Sequence, residues 1–324
     1  MSHHRNIMLC LVALLATSIE AWPAVATNSG QFTGTTYQTI KVDGVNIFYR
    51  EAGPKDAPCI LLLHGYPSSS RMFEPLLPLL SNKYHLIAPD YPGFGLSDAP
   101  SPASFPYTFD HLAKVIDEFT HALGLTHFTL YLQDYGGPIG FRIALEHPER
   151  IRALIIQNAV VHEEGLSPVW VPRRAFWANR AEYESKVRDS LFAVAGGVAR
   201  HVGTRPNPER FNPDLWMDEI AFLRRPGEDL IQLNLIYDYQ SNVAAYPKWQ
   251  AYLRDKAPPT LVVWGKDDPI FTVEGANAIG REVPNAEIHF LDAGHFALED
   301  HAAEIALLID RFLLKESNRP KHGW

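Results

Sequence analysis

Cysteine is scarce in this chain, with Cys10 and Cys59 the only two among 324 residues. Cys10 falls in an N-terminal leader, so the remainder carries one thiol and cannot close an internal disulfide. A domain of this length buries enough core without one. Cys59 opens an apolar run and reads as inert packing rather than chemistry. Runs of five or six like charges are missing, as are internal repeats and low-complexity segments. The formal net charge is −8 and the pI about 5.9, which disfavours nucleic acid or an anionic membrane as the main partner. A hydrophobic content of 46% argues against disorder.

Two motifs stop short. Gly93-Phe94-Gly95 lacks the third glycine of a dinucleotide loop. His162-Glu163-Glu164 opens like a zinc helix, but Leu166 stands where the second His is needed. No metal and no organic cofactor is therefore expected. The apolar run Ile7 to Ala16 falls short of the ~20 residues of a spanning helix. It follows His3, His4 and Arg5 and precedes the small-x-small triplet Ala24-Val25-Ala26. That pattern reads as a secretory signal peptide over residues 1–26, cleaved after Ala26. The expectation is a secreted or periplasmic protein without stable membrane association after cleavage. No feature specifies an oligomeric state.

Strand-like runs alternate with helix-like ones, the pattern of an α/β protein with a mostly parallel sheet covered on both faces. Tyr37–Val42 and Val45–Arg50 flank Asp43-Gly44, a hairpin signal. Further strands are expected at Cys59–Leu63, His85–Pro89, Phe128–Leu132, Ile151–Gln157, Thr260–Trp264 and Glu287–Leu291. The spacing of Leu112, Val115, Ile116, Phe119 and Leu123 predicts a helix over 108–123. Other helices are expected over 138–147, 274–282 and 302–314. The strand rhythm stops between Val160 and Pro259, where Trp170, Trp177, Trp216 and Trp249 sit among short helical patterns broken by Pro and Gly. That stretch is too long for a loop. It reads as a helical cap, residues 160–259, inserted into a core made of 27–159 and 260–324.

The residues that carry chemistry lie at strand ends, the expected place in an open α/β sheet. Gln133-Asp134-Tyr135-Gly136-Gly137 puts a carboxylate on a tight strand-to-helix turn, where a nucleophile elbow holds its reactive side chain. Taken alone, the window fits a helix-capping Asp134 equally well; the rest of the constellation favours a nucleophile. An Asp attacking saturated carbon leaves an alkyl ester, so the substrate would be an alkyl electrophile, a small apolar organic molecule. An Asp attacking an acyl carbon would give an anhydride, a poorer route than Ser offers. His295, after a Gly just beyond a strand, is the candidate base, last in the order nucleophile, acid, base. Asp268 is the candidate orienting acid, with Asp267 read as a solvated turn residue. The backbone N–H groups of Tyr66 and Tyr135 are candidate oxyanion donors.

With these residues in place, the chain resembles the α/β-hydrolase fold from about Tyr37 to Leu314. Within it, the chain resembles the Asp-nucleophile branch of epoxide hydrolases and haloalkane dehalogenases. The carriers are His64-Gly65-Tyr66-Pro67, Asp90 to Asp98, Gln133 to Gly137, Trp264 to Pro269 and Gly294-His295. Dehalogenases of that branch usually place Trp after the nucleophile, and many place Asn where Tyr66 stands; here Tyr135 follows Asp134. Gln133 and Leu132 look more like the dehalogenases, since epoxide hydrolases more often carry Gly two residues before the nucleophile. The branch implies, for an epoxide hydrolase, two cap tyrosines that donate to the ring oxygen. Tyr239 sits near where one is expected, with Tyr183 or Tyr246 as its partner; amphipathic packing in the cap explains any one of them as well. The missing Trp tips the reading from halide toward epoxide. A non-catalytic, ligand-binding relative of the fold is the reading of a different class.

Overall fold

Asp43 and Gly44 both take positive φ, 48° and 79°, the two left-handed residues that a tight two-residue hairpin requires. They join β1 (Thr36–Val42) to β2 (Val45–Ala52), with Val42 opposite Val45. The computed structural model describes residues 34–203 and 205–318. The leader assigned to residues 1–26 lies outside them.

Six more strands complete the sheet: β3 (Cys59–Leu63), β4 (His85–Pro89), β5 (Phe128–Gln133), β6 (Ile151–Gln157), β7 (Thr260–Gly265) and β8 (Glu287–Leu291). Their spatial order is β1-β2-β4-β3-β5-β6-β7-β8. β2 is antiparallel to both its neighbours, and every pairing from β4 onward is parallel. Parallel strands buried on both faces read as unbroken apolar runs, as β3 and β4 do. The pleat then sends alternate residues to opposite layers. Leu61, Leu63, Leu130, Leu132, Leu154 and Ile156 enter one core. Ile60, Leu62, Tyr131, Ala153 and Ile155 enter the other.

Helices cover both faces. α1 (Leu77–Leu80) and α10 (Leu298–Ser317) pack into the second core, while α2 (Phe109–Ala122), α3 (Gly136–Glu146) and α9 (Val273–Glu282) pack into the first. Thr108 caps α2 by accepting the N–H of His111 at 3.2 Å, and Leu112, Val115, Ile116 and Phe119 form its buried stripe. The Cys59 thiol, half-buried at the start of β3, is pushed up to about 12 by desolvation and stays protonated.

Between β6 and β7 the chain contributes α4 (Val171–Ala178), α5 (Arg180–Phe192), α6 (Val194–His201), α7 (Asp214–Leu223) and α8 (Glu228–Lys256), with no strand of the sheet among the described residues. The short broken helices expected here are corrected at α8, which runs 29 residues straight through Pro247. An interior Pro costs about 3 kcal/mol. Burial of Tyr239, Tyr246, Trp249, Tyr252 and Leu253 along the same helix offsets that cost. α3 also starts two residues before the expected Pro138, directly at the elbow; α10 is kinked at His301 (φ −121°, ψ 20°), so a short turn from Leu298 precedes the helix expected from 302.

Candidate active site

Five adjacent parallel strands, β3, β5, β6, β7 and β8, end side by side, and the loops after them build the site. At the end of β5, Asp134 takes φ +47°, a left-handed conformation that costs a non-Gly residue about 1–2 kcal/mol. The neighbouring loops leave no room for side chains there. A Cβ on Gly136 would stand 2.1 Å from the Leu63 carbonyl oxygen, and one on Gly65 would stand 2.2 Å from the Asp134 Cβ. These glycines let the turn after β3 close on the elbow. The Tyr66 N–H can then donate to Asp134 Oδ1 at 2.7 Å, and the Tyr135 N–H also donates to this carboxylate.

His295 completes the arrangement. Its Nδ1 lies 2.8 Å from Asp268 Oδ2, and its Nε2 lies 3.7 Å from Asp134 Oδ2. Asp268 is held in turn by the Asn158 amide at 2.7 Å and by the Ile270 N–H at 2.7 Å. Asn158 follows β6 in a left-handed turn of its own (φ +45°) and ties its amide to both the N–H and the carbonyl of Gly265. Asp267 points its backbone N–H at Ala293 and does not reach the imidazole. The structure therefore brings Asp134, Asp268 and His295 together with the Tyr66 and Tyr135 amides.

Burial raises the Asp134 carboxyl above its ordinary range, against the pull of His295, the two amides and Arg173. Burial opposes the imidazolium of His295, but the charge and hydrogen bond of Asp268, with Asp134, outweigh it. The net shift is upward, with Arg200 working against it. His64, stacked on Tyr91 with ring centres 4.0 Å apart, is pulled down to about 4 by burial and stays neutral.

A small cavity of about 20 Å³, room for about one water, lies against Asp134, Tyr135 and His295. Trp170, Arg173, Leu191, Arg200 and Ile236, all from residues 160–259, form its other wall. The Tyr66 hydroxyl donates to the Leu191 carbonyl at 3.0 Å. Tyr239 does not line the cavity; its ring packs behind Tyr135, Trp170 and Trp177. Tyr246 is buried against Trp249, and Tyr183 packs half-buried at the edge of the core. Sequence reasoning missed Arg173, Arg200 and Asn158. Nothing in their local windows separates the arginines from the other cations of that stretch.

Gly93-Phe94-Gly95 is a turn, as expected, and Asp90 pins it through the Leu96 N–H at 2.8 Å. His162 bonds Glu282 at 2.7 Å. Among the described residues, Asp117, His121 and His147 gather metal-ligating atoms. The Arg150 guanidinium already fills that spot, 2.6 Å from Asp117 and 3.1 Å from His121, and disfavours a cation there.

Known proteins place this geometry in a family. The chain is 41% identical over 268 residues to an uncharacterized hydrolase of Saccharomyces cerevisiae, covering 82% of this chain and 92% of that one. It is 42% identical over 271 residues to haloalkane dehalogenase 2 of Mycobacterium tuberculosis, covering 79% and 88%. The crystal structure of a haloalkane dehalogenase from Bradyrhizobium elkani matches with a TM-score of 0.69 at 22% identity, covering 87% of this chain and all of that one, a likeness of fold. Residues 58–302 match the alpha/beta hydrolase fold family, and the chain belongs to it as an enzyme of the hydrolase type.

Proposed function

We propose that this enzyme hydrolyses an alkyl electrophile through a covalent ester on Asp134. The observation that carries the reading is the division of labour between the two carboxylate oxygens. Oδ1 is held by the Tyr66 amide, while Oδ2 faces the imidazole of His295. Oδ2 attacks carbon and becomes the ester oxygen. Oδ1 becomes the ester carbonyl, already seated among N–H donors where the oxyanion forms on hydrolysis. His295, its tautomer fixed by Asp268, takes a proton from the water that attacks that carbonyl. Asp134 is then released with its charge restored. The helices of residues 160–259 act as the cap, and a cavity this small requires them to give way as substrate enters. No cofactor takes part in these steps.

An epoxide is the favoured electrophile. Opening its ring needs a proton donor, and the Tyr135 side chain lines the cavity with its phenol held well above its ordinary pKa by burial, hence protonated. The halide reading draws on the mycobacterial dehalogenase relative. Against it, the indole N–H groups nearest the cavity are engaged: Trp170 with Ile270 O at 3.2 Å and Trp177 with Ile236 O at 2.7 Å.

Trapping tests the route. His295→Gln incubated with epoxides and haloalkanes should accumulate an adduct on the peptide carrying Asp134, read by mass. One turnover of the wild type in ¹⁸O-water should leave label in that peptide. Label in the product alone would mean direct attack by water and would remove the ester from the mechanism. No adduct with any electrophile would favour a ligand-binding protein. Export on the leader of residues 1–26 is proposed too, and N-terminal sequencing of the mature protein tests it.

A further inference from the structure

Arg173 on α4 and Arg200 on α6 both line the cavity that holds Asp134, and neither has an ion-pair partner among the described residues. Other arginines of the same region are paired: Arg174 with Glu163 at 2.8 Å, Arg180 with Glu184 at 3.0 Å. Arg200 is 7% exposed, and its Nε is buried without any hydrogen-bond acceptor. A guanidinium keeps its charge at any ordinary pH, so an unpaired buried one such as Arg200 carries a heavy desolvation cost; Arg173 is half-buried.

We propose that Arg173 and Arg200 bind a carboxylate carried by the substrate, so that the enzyme acts on small electrophilic acids such as short 2-haloalkanoates or epoxy-carboxylates. Charge balance favours this. The cavity wall holds two guanidiniums and one carboxylate, Asp134; Asp268 does not line it and is spent on His295, Asn158 and Ile270. One negative charge is missing. With a neutral substrate the deficit deepens once the halide departs or the alkoxide is protonated, because alkylation discharges Asp134. A substrate carboxylate supplies the anion before and after that step. Geometry agrees. The Arg200 guanidinium lies over the Tyr66 ring at 5.2 Å and that of Arg173 over the Trp170 ring at 4.5 Å. Stacking occupies the faces and leaves the N–H edges for an in-plane carboxylate.

The reaction balances. With 2-chloropropionate, Asp134 Oδ2 bonds to C2 as chloride leaves with the bonding pair. Water then adds to the ester carbonyl, giving one proton to His295; the Cγ–Oδ2 bond breaks, His295 returns that proton to the leaving alkoxide, 2-hydroxypropionate departs, and the regenerated Asp134 carboxyl releases its remaining proton to solvent. With glycidate, ring opening leaves an alkoxide that takes a proton, and the product is the dihydroxy acid. Recognition of the acid does not depend on the Asp134 ester; turnover of it does.

Binding and trapping separate the two. Titration calorimetry of the full chain with propionate and with propionamide, in chloride-free buffer, reads recognition without chemistry. Propionate should bind at least about tenfold more tightly than the amide, and Arg173→Met or Arg200→Met should weaken it by about ten- to a hundredfold. Arg200→Lys keeps the charge if the Met variant fails to fold, and should retain part of the affinity. Equal binding of acid and amide by the wild type overturns the proposal without any variant. In His295→Gln, 2-chloropropionate and glycidate should label faster than 1-chloropropane and propylene oxide. Labelling by the neutral compounds alone overturns the carboxylate site and leaves the ester intact. Tight propionate binding with no adduct from any compound keeps the carboxylate site and removes the ester.

Discussion

The Nδ1 of His295 lies 2.8 Å from Oδ2 of Asp268, with both side chains sealed from solvent. That contact fixes which ring nitrogen keeps its proton and leaves Nε2 as the lone pair facing Asp134. Asp268→Asn should therefore lower turnover on the order of 10⁴-fold, the scale seen when a base loses its orienting acid. The sign of the pH effect follows. His295 works as a base only when neutral, and its pKa in the fold lies above the ordinary 6.5. Activity should rise with pH through that raised value. Removing the charge of Asp268 should move the acid limb of kcat/KM to lower pH. An unmoved limb would mean that Asp268 does not set the titration.

Gln133 shifts the same limb the other way. Its amide nitrogen lies 3.1 Å from His295 Nε2, donating to the lone pair of the neutral ring. Its Oε1 is buried and unpartnered. A donor on Nε2 favours the neutral imidazole. Gln133→Leu should raise the acid limb and cost about tenfold in rate, the scale of one hydrogen bond at a positioned group. A purely structural Gln133 would lower the rate and leave the pH profile in place.

The elbow separates chemistry from fold. Asn tolerates the left-handed turn as Asp does, so Asp134→Asn should keep its melting temperature within a few degrees while turnover falls by at least about 10⁴-fold. Gly65→Ala should do the opposite first. Its Cβ would press against Asp134 Cβ at 2.2 Å, and overpacking of that kind costs about 1–3 kcal/mol. Thermal melts beside turnover assays check both. An Asp134→Asn protein that unfolds, or that retains activity, would contradict the role assigned to this side chain.

The sheet was legible because turn residues follow most strands, among them Asp43-Gly44, Gly53, Asp134, Asn158 and Asp292. Cys59–Leu63 and His85–Pro89 have the bounds read from the sequence, and Asp43-Gly44 makes the expected hairpin. The Asp268–His295 approach was readable from two strand-end turns, since parallel strands bring their C-terminal ends to one edge. Asn158 was not, because its work lies in a backbone turn and two bonds to Gly265 that no spacing announces. Arg173 and Arg200 were not, because their distinction is the lack of a partner, and partners are a property of packing. Pro247 misled the reading of α8, where local propensity lost to four buried aromatic rings.

His201 should make the stability of this protein fall as pH rises. Its ring, 2% exposed, lies between Glu219 on α7 at 2.9 Å and Glu299 on α10 at 2.6 Å, and stacks on Phe296. Arg205 also bonds the His201 carbonyl. Burial opposes the charge, but the two carboxylates outweigh it and hold the pKa at about 9, above the ordinary 6.5. Burial pushes the Glu299 carboxyl up as well, so that group favours the same protonated cluster. A group with a raised pKa in the fold stabilises fully below its unfolded value and loses that contribution as pH passes its folded value. The window is therefore from about 6.5 to about 9. Across it the contribution is on the order of a few kcal/mol, a fall of several degrees in melting temperature for a chain this long. Above the window, two carboxylates face an uncharged ring where α6 and α7 meet α10. His201→Gln should melt lower at neutral pH and lose most of the slope between pH 6.5 and 9. A wild type whose melting temperature stays level or climbs through that range would show that the imidazolium does not bind these helices together.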